Sequence, residues 1–202
     1  MAPADIGVLR NAPHKLPKEE FTAYTNAVVM LKNVPMQIND TSRPSIANIR
    51  ESIRKTQHQY GLVGAVLVDY LQIMKTTKPF AREDLKIAYF TGELKAMAKE
   101  FNCVIVLLSQ LNRELEKRPN KRPVLSDLRE SGAIEQDADQ IIFLYRDEIY
   151  NKESQFRGIA EAIVGKNRHG EAGTAYMHAQ LKYCQFTNLD HDALNQIQGN
   201  LI

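Results

Sequence analysis

Apolar residues recur at two periods along the chain, and the period decides which element each stretch predicts. Between Lys18 and Lys32, Phe21, Tyr24, Val28 and Leu31 fall three or four residues apart, the spacing of one helix face. Residues 34–38 are a short apolar run closed by Asn39-Asp40, which reads as a strand and its exit. Ser45 stands where a helix N-cap belongs, ahead of Ile46, Ile49 and Ile53 on one face of a helix expected to run to about Tyr60. Residues 64–71 make a continuous apolar strand interrupted by one acid, Asp69. Residues 85–101 are the clearest helix, with Ile87, Phe90, Leu94, Met97 and Phe101 in register. Residues 103–108 predict another buried strand, ending in Ser109-Gln110.

Polar loops follow both apolar strands, residues 75–84 with Lys75, Lys78 and Arg82, and residues 113–123 with Arg113, Lys117, Arg118, Lys121 and Arg122. Residues 134–139 predict one helical turn before a strand over residues 140–145. The C-terminal third changes character: residues 160–164 and 174–179 read as two strands flanking a glycine-punctuated turn, and residues 183–186 add a third. Strands alternating with helices imply a parallel sheet. The fold class expected is therefore α/β, a mostly parallel sheet with a C-terminal antiparallel hairpin. The domain lies over residues 15–188, between a linker-like start at 1–14 and a tail at 189–202.

Composition narrows the picture little. Hydrophobic residues at 44% and charged residues at 25% are ordinary for a soluble domain, and 202 residues suit one such domain. A net charge of +2 is too mild to imply a nucleic-acid partner, so any such reading rests on local clusters. Two cysteines, Cys103 and Cys184, make neither a metal site nor a disulfide framework, and the expected compartment is a reducing cytoplasm. The start has no basic stretch followed by an apolar run, and no stretch approaches the roughly 18 apolar residues of a membrane helix.

Asp69 ends an apolar strand, where open α/β sheets bind ligands. A carboxylate there suits magnesium, a hard cation that takes oxygen ligands; read alone, it better fits an Asp that caps a turn. Ser109-Gln110 ends the next apolar strand the same way, and a Gln there can hydrogen-bond a terminal phosphate, or simply begin a turn. A phosphate cradle needs a glycine-rich loop with backbone N–H groups around the phosphates, then Lys and Ser or Thr. No G-x-x-x-x-G-K-[ST] occurs in the 202 residues. Its nearest approach, Gly165 to Gly170, is followed by Glu171-Ala172, and a carboxylate there repels phosphate.

Longer strings carry a resemblance. Val68-Asp69-Tyr70-Leu71-Gln72 resembles the magnesium-binding strand of DnaB-type replicative helicases, and Leu108-Ser109-Gln110-Leu111-Asn112-Arg113 their phosphate-sensing segment. The string from Asp127 to Asp139 is similar to their DNA-facing loop nearly throughout, and Tyr145-Arg146-Asp147-Glu148 and Gly165-Lys166-Asn167-Arg168-His169-Gly170 continue the match. The resemblance runs in order from about Lys15 to Asn188. It implies a RecA-like motor core whose hexameric ring encircles single-stranded DNA and uses ATP and magnesium at subunit interfaces, with a helicase loader and primase as further partners. It assigns magnesium to Asp69, with Ser109 beside the nucleotide, and γ-phosphate sensing to Gln110. Lys166 and Arg168 would reach the neighbouring subunit's site, where a trans cation stabilises charge building on the transferred phosphate. Arg129, Glu130 and Gly132 would hold the DNA backbone, a contact that gives affinity without sequence preference. Read without the family, Lys166 and Arg168 are solvated turn cations, and the charged run from Arg113 to Arg122 is a wet face.

The family pattern also contains, before the point matched by Met1, an N-terminal domain, the phosphate loop on its strand, and a catalytic Glu. The expectation is a core that lacks the phosphate-loop strand and does not hydrolyse ATP or unwind DNA by itself. Open apolar sheet edges are then expected to give a rearranged sheet, a swapped oligomer or poor solubility. Three roles follow as alternatives: part of a helicase, a non-enzymatic partner that joins and poisons a complete ring, or a single-stranded DNA-binding module.

Overall fold

The computed structural model describes residues 4–128, 132–190 and 197. Its helices are α1 (Ile6–Asn11), α2 (Lys18–Leu31), α3 (Ile46–Tyr60), α4 (Glu83–Glu100) and α5 (Gly132–Asp137). The strands are β1 (Ala65–Val68), β2 (Val104–Leu107), β3 (Gln140–Tyr145), β4 (Ile159–Asn167), β5 (Gly173–Gln180) and β6 (Gln185–Asn188). The chain divides into two compact units: residues 37–143 with 164–173, and residues 1–36 with 144–163 and 174–202.

In the unit formed by residues 37–143 and 164–173, α3 begins as its sequence dictates. The Ser45 hydroxyl accepts from the Asn48 N–H at 3.2 Å, and the Asn48 side-chain oxygen accepts from the Ser45 N–H at 3.0 Å, a closed capping box. Gly61 ends the helix at φ 85°, a left-handed conformation open to glycine without strain. Ile46, Ile49 and Ile53 face inward, and α4 answers with Ile87, Phe90, Leu94 and Met97. Outside this apolar layer, Arg50 pairs with Glu93 at 3.3 Å and Glu100 at 3.2 Å. Phe90, Leu71 and Met97 are fully buried, each worth about 1.5–3 kcal/mol of apolar transfer.

β1 and β2 pair in parallel, in the register Ala65↔Val104 to Val68↔Leu107. Parallel strands normally have both faces covered. Here Val68 is buried, while Leu67 is 71% exposed and Val104 62% exposed. β3 repeats the pattern, with Ile141, Phe143 and Tyr145 buried and Ile142 and Leu144 exposed.

Residues 34–38, expected to form a strand, do not. They pair with no strand; the chain bends at Val34, the Met36 N–H donates to the Val34 carbonyl at 2.7 Å, and Ile38 is 75% exposed. An apolar run becomes a strand only when a neighbour supplies its backbone partners, and none among the described residues does so here. The other expected helices and strands are present, their ends shifted by a few residues, and residues 6–11 add α1, with Asp5 capping the Val8 N–H at 3.1 Å.

In the other unit, Ile159, Leu189 and Ile197 form a small core with Phe156 and Tyr176 against it. β5 and β6 are antiparallel, paired from Met177↔Asn188 to Gln180↔Gln185, so the third expected C-terminal strand is present as β6, two residues later than expected. The second sheet has the order β3-β4-β5-β6. α2 keeps its 14-residue length but buries no residue. No helix among the described residues is long and apolar enough to cross a membrane.

Candidate functional site

The parallel register places the ends of β1 and β2 side by side. The Leu108 N–H donates to the Val68 carbonyl at 3.0 Å, and the Leu71 N–H donates to the Leu108 carbonyl at 2.9 Å. Asp69 and Ser109-Gln110 therefore leave the sheet at the same edge. The Asp69–Tyr70 peptide is cis. Asp69 is exposed and makes no ion pair among the described residues, so its carboxylate is available to a cation.

Gln72 joins the two strand ends. Its side-chain N–H donates to the Ser109 hydroxyl at 3.0 Å, and its side-chain oxygen accepts from the Gln110 N–H at 3.2 Å. An amide that offers a donor and an acceptor to successive residues fixes both. It does so three residues after Asp69, locking the acid's turn to the segment that follows β2. Local sequence carries no signal for this, because the pairing spans 37 and 38 residues.

Beyond Gln110, the chain is held by Asp127. The Asp127 carboxylate is buried and accepts from Arg118 Nη2 at 2.6 Å and from the Val124 N–H at 2.8 Å, while its carbonyl accepts from the Asn112 N–H at 2.8 Å. Leu111 and Leu128 form an antiparallel bridge beside it. The charged run is thus not wholly a wet face, since Arg118 is a structural partner; Lys117 pairs only locally, with Glu114 at 2.7 Å. In the preceding loop, Lys78 stacks its ammonium 4.2 Å from the Tyr89 ring centroid.

Lys166, Arg168 and Gly132 form a second group around α5. Lys166 Nζ donates to the carbonyls of Glu135 and Ala138, the latter at 2.8 Å. Arg168 donates to the Gln136 carbonyl at 3.0 Å and to the Asp139 carboxylate at 3.1 Å. The other carboxylate oxygen of Asp139 accepts from Lys95 of α4. The Lys95 hydrogen bond, ahead of the charges of Lys95 and Arg168, holds the Asp139 carboxyl below its ordinary value. Gly132 is exposed at the first position of α5. Arg129 and Glu130 lie outside the described residues.

Gly165, which opens the near-match to a phosphate loop, has a packing role. It sits within β4, and a Cβ there would meet Phe143 Cε2 at 2.6 Å. The segment is a strand pressed on an aromatic ring, with no phosphate cradle. Among the described residues, no group of three or more His, Cys, Asp or Glu side chains could hold a metal. One free carboxylate still fits magnesium, which keeps several waters and is commonly held by one or two carboxylates together with substrate phosphates. The residues present therefore suit the cation but not the triphosphate, whose glycine-rich cradle is missing.

A family model described as DnaB-like helicase C terminal domain matches residues 3–188. The replicative DNA helicase DnaB of Buchnera aphidicola subsp. Acyrthosiphon pisum is 41% identical over 175 residues, covering 86% of this chain and 38% of that protein. The Haemophilus influenzae protein of that name is 45% identical over 152 residues, covering 75% of this chain and 32% of its own length. A solved structure described as an ATPase domain superposes with a TM-score of 0.86 at 37% identity, over 92% of this chain and 66% of that one. A structure of a DnaB-like replicative helicase and its interactions with primase gives the same TM-score and identity, over 91% of this chain and 44% of that one. The chain thus spans about four tenths of the Buchnera relative. With the RecA-like α/β core in place and the match running nearly end to end, the chain belongs to the DnaB-like helicase C-terminal domain family.

Proposed function

We propose that this chain supplies the magnesium strand, the phosphate-sensing segment, the DNA-facing loop and the trans cations of a hexameric, ATP-dependent replicative DNA helicase, and that alone it does not hydrolyse ATP. The observation that carries the proposal is the Gln72 clamp, which sets Asp69 and Ser109-Gln110 at one sheet edge while the 202 residues contain no phosphate cradle.

Asp69 is the residue that would hold magnesium, and Ser109 and Gln110 would face the terminal phosphate. When bound, ATP and magnesium would supply the phosphoryl group and neutralise its charge. This chain's own residues orient the sensor and present cations outward. Losing the cradle removes the contacts to the β- and γ-phosphates, so binding and chemistry fail together. The other part of the site must come from a polypeptide carrying the phosphate loop, in the same protein or in a neighbouring ring subunit. The loader and primase stand as partners of that whole assembly.

Single-stranded DNA is the partner this chain meets directly, through Arg129, Glu130 and Gly132. Titration of a fluorescent oligo-dT, followed by anisotropy, tests this. Binding that weakens with rising salt and with Arg129→Ala is expected; affinity untouched by Arg129→Ala and Glu130→Ala overturns the DNA loop. The seated Lys166 and Arg168 also favour a second role, in which the chain enters a complete ring and blocks it. Mixing with an intact helicase then gives dose-dependent inhibition, and no inhibition removes that role.

A further inference from the structure

Lys166 and Arg168 are long side chains on the last residues of β4 and the turn beyond it, where solvated cations ordinarily sample many rotamers. Here both are anchored. The acceptors are the carbonyls of Glu135, Gln136 and Ala138 and the carboxylate of Asp139. The main chain adds a further tie, from the Arg168 N–H to the Asp139 carbonyl at 2.8 Å. The last carbonyls of a helix have no partner within it, and the helix end carries a partial negative charge, so cations settle there.

We propose that Asp139 and the C-terminal end of α5 form a seat for the two cations, the last carbonyls holding Lys166 and Asp139 acting as a positioning residue for Arg168. The proposal rests on the reading of those cations as donors to a neighbouring subunit.

Three features shape the seat. Asp139 faces Lys95 from α4 and Arg168 from the turn after β4, with the His169 ring in the same turn, so it sits between the Lys95 and Arg168 cations on separate elements. α5 is itself pinned to α4, the Thr91 hydroxyl donating to the Asp137 carboxylate at 2.5 Å. The seat also leaves donors free. Arg168 has five N–H groups and uses two of them on Gln136 and Asp139, and Lys166 has a third N–H beyond its two carbonyls. Both cations can stay anchored while aiming hydrogens outward at an anion. Fixing them in advance removes the ordering that a flexible cation undergoes on meeting its target.

A consequence follows from chain order. α5 begins at Gly132, inside the string from Asp127 to Asp139 that matches the DNA-facing loop and just after Arg129 and Glu130 in sequence, and ends at the seat. The seat and the loop therefore share one short helix. Linkage between them is reciprocal: whatever orders α5 from one end favours order at the other.

The test is amide hydrogen exchange, resolved by residue in the ¹⁵N-labelled chain. Asp139→Asn keeps the shape and removes the charge; Asp139→Glu keeps the charge. Exchange at Arg168 and at residues 135–138 is expected to quicken about threefold or more in Asp139→Asn, because half-exposed pairs are partly screened. Asp139→Glu should restore it, while α3 stays unchanged. Arg168→Ala is the second variant and should free the same amides. Unchanged exchange in both Asp139→Asn and Arg168→Ala, or no rescue by Asp139→Glu, overturns the seat. Adding oligo-dT to the unsubstituted chain tests the consequence: bound DNA should slow these amides, and binding that leaves them untouched refutes the link. Failure to bind oligo-dT counts against the DNA reading alone, since the seat is decided by the variants.

Discussion

Asp127→Ala is the substitution whose cost the structure fixes most closely. The Asp127 side chain is 8% exposed and accepts two hydrogen bonds, one from Arg118 Nη2 at 2.6 Å and one from the Val124 N–H at 2.8 Å. A charge-assisted bond is worth about 1.5–3 kcal/mol and a neutral one about 0.5–1.5 kcal/mol. Two effects then compete. Arg118 is 35% exposed, so water partly rehydrates its stranded head and lowers the cost. Its Nε, however, is buried without a partner, so the guanidinium already lacks one contact and cannot turn wholly outward. The net expectation is a loss of about 2–3 kcal/mol. Asp127→Asn keeps an acceptor for the Val124 N–H and should recover about 1 kcal/mol of it. Urea unfolding followed by circular dichroism measures the difference. Exchange at the Asn112 and Val124 amides, run alongside, shows whether the loss is local to this unit. A shift below about 0.5 kcal/mol in Asp127→Ala, the range of an ordinary surface change, would refute the view that this carboxylate anchors the segment between Gln110 and the DNA-facing loop.

Gly165→Ala drives a methyl against the buried Phe143 ring and should cost about 1–3 kcal/mol in thermal or urea unfolding, whereas a neutral result would mean the ring yields freely. Burial pushes the Cys103 thiol above its ordinary value while Cys184 is exposed, so a disulfide reagent near pH 8 should label one thiol fast, blocked by Cys184→Ser, and the other slowly. Glu148 is held below its ordinary 4.5 first by Arg146 and then by the Gly158 N–H; its contribution is present above that value and lost as pH falls through the lower folded one. Glu148→Gln should therefore reduce stability at neutral pH but flatten its decline under acid, and an unchanged acid profile would contradict the pairing. The exposed Leu67 and Val104 should make the chain associate with rising concentration in sedimentation, and Leu67→Lys with Val104→Thr should reduce this; a monomer at all concentrations would contradict it.

Elements that carry their own instructions are legible in the sequence. Ser45 and Asn48 close a capping box within four residues, and the isoleucines of α3 and the apolar register of α4 point to one shared core. Asp69 and Ser109-Gln110 are legible as strand ends. Residues 34–38 mislead because an apolar run does not show whether a pairing strand is present. The clamps are hidden for a related reason. Gln72, Asp127 and Asp139 act on partners 37, 9 and 29 residues away, and nothing in their own neighbourhoods marks them. Read without the family, Lys166 and Arg168 fit the solvated-turn reading better than the trans-donor one; the structure adds that both donate to carbonyls at the end of α5.

The central claim, a motor core without a phosphate cradle, is tested most directly by ATP turnover of the purified 202-residue chain, with and without single-stranded DNA, beside an Asp69→Ala control. The account predicts no turnover above that control in either condition. Turnover that requires Asp69 would contradict it, because a phosphate-binding surface would then have to exist among residues that contain no such loop.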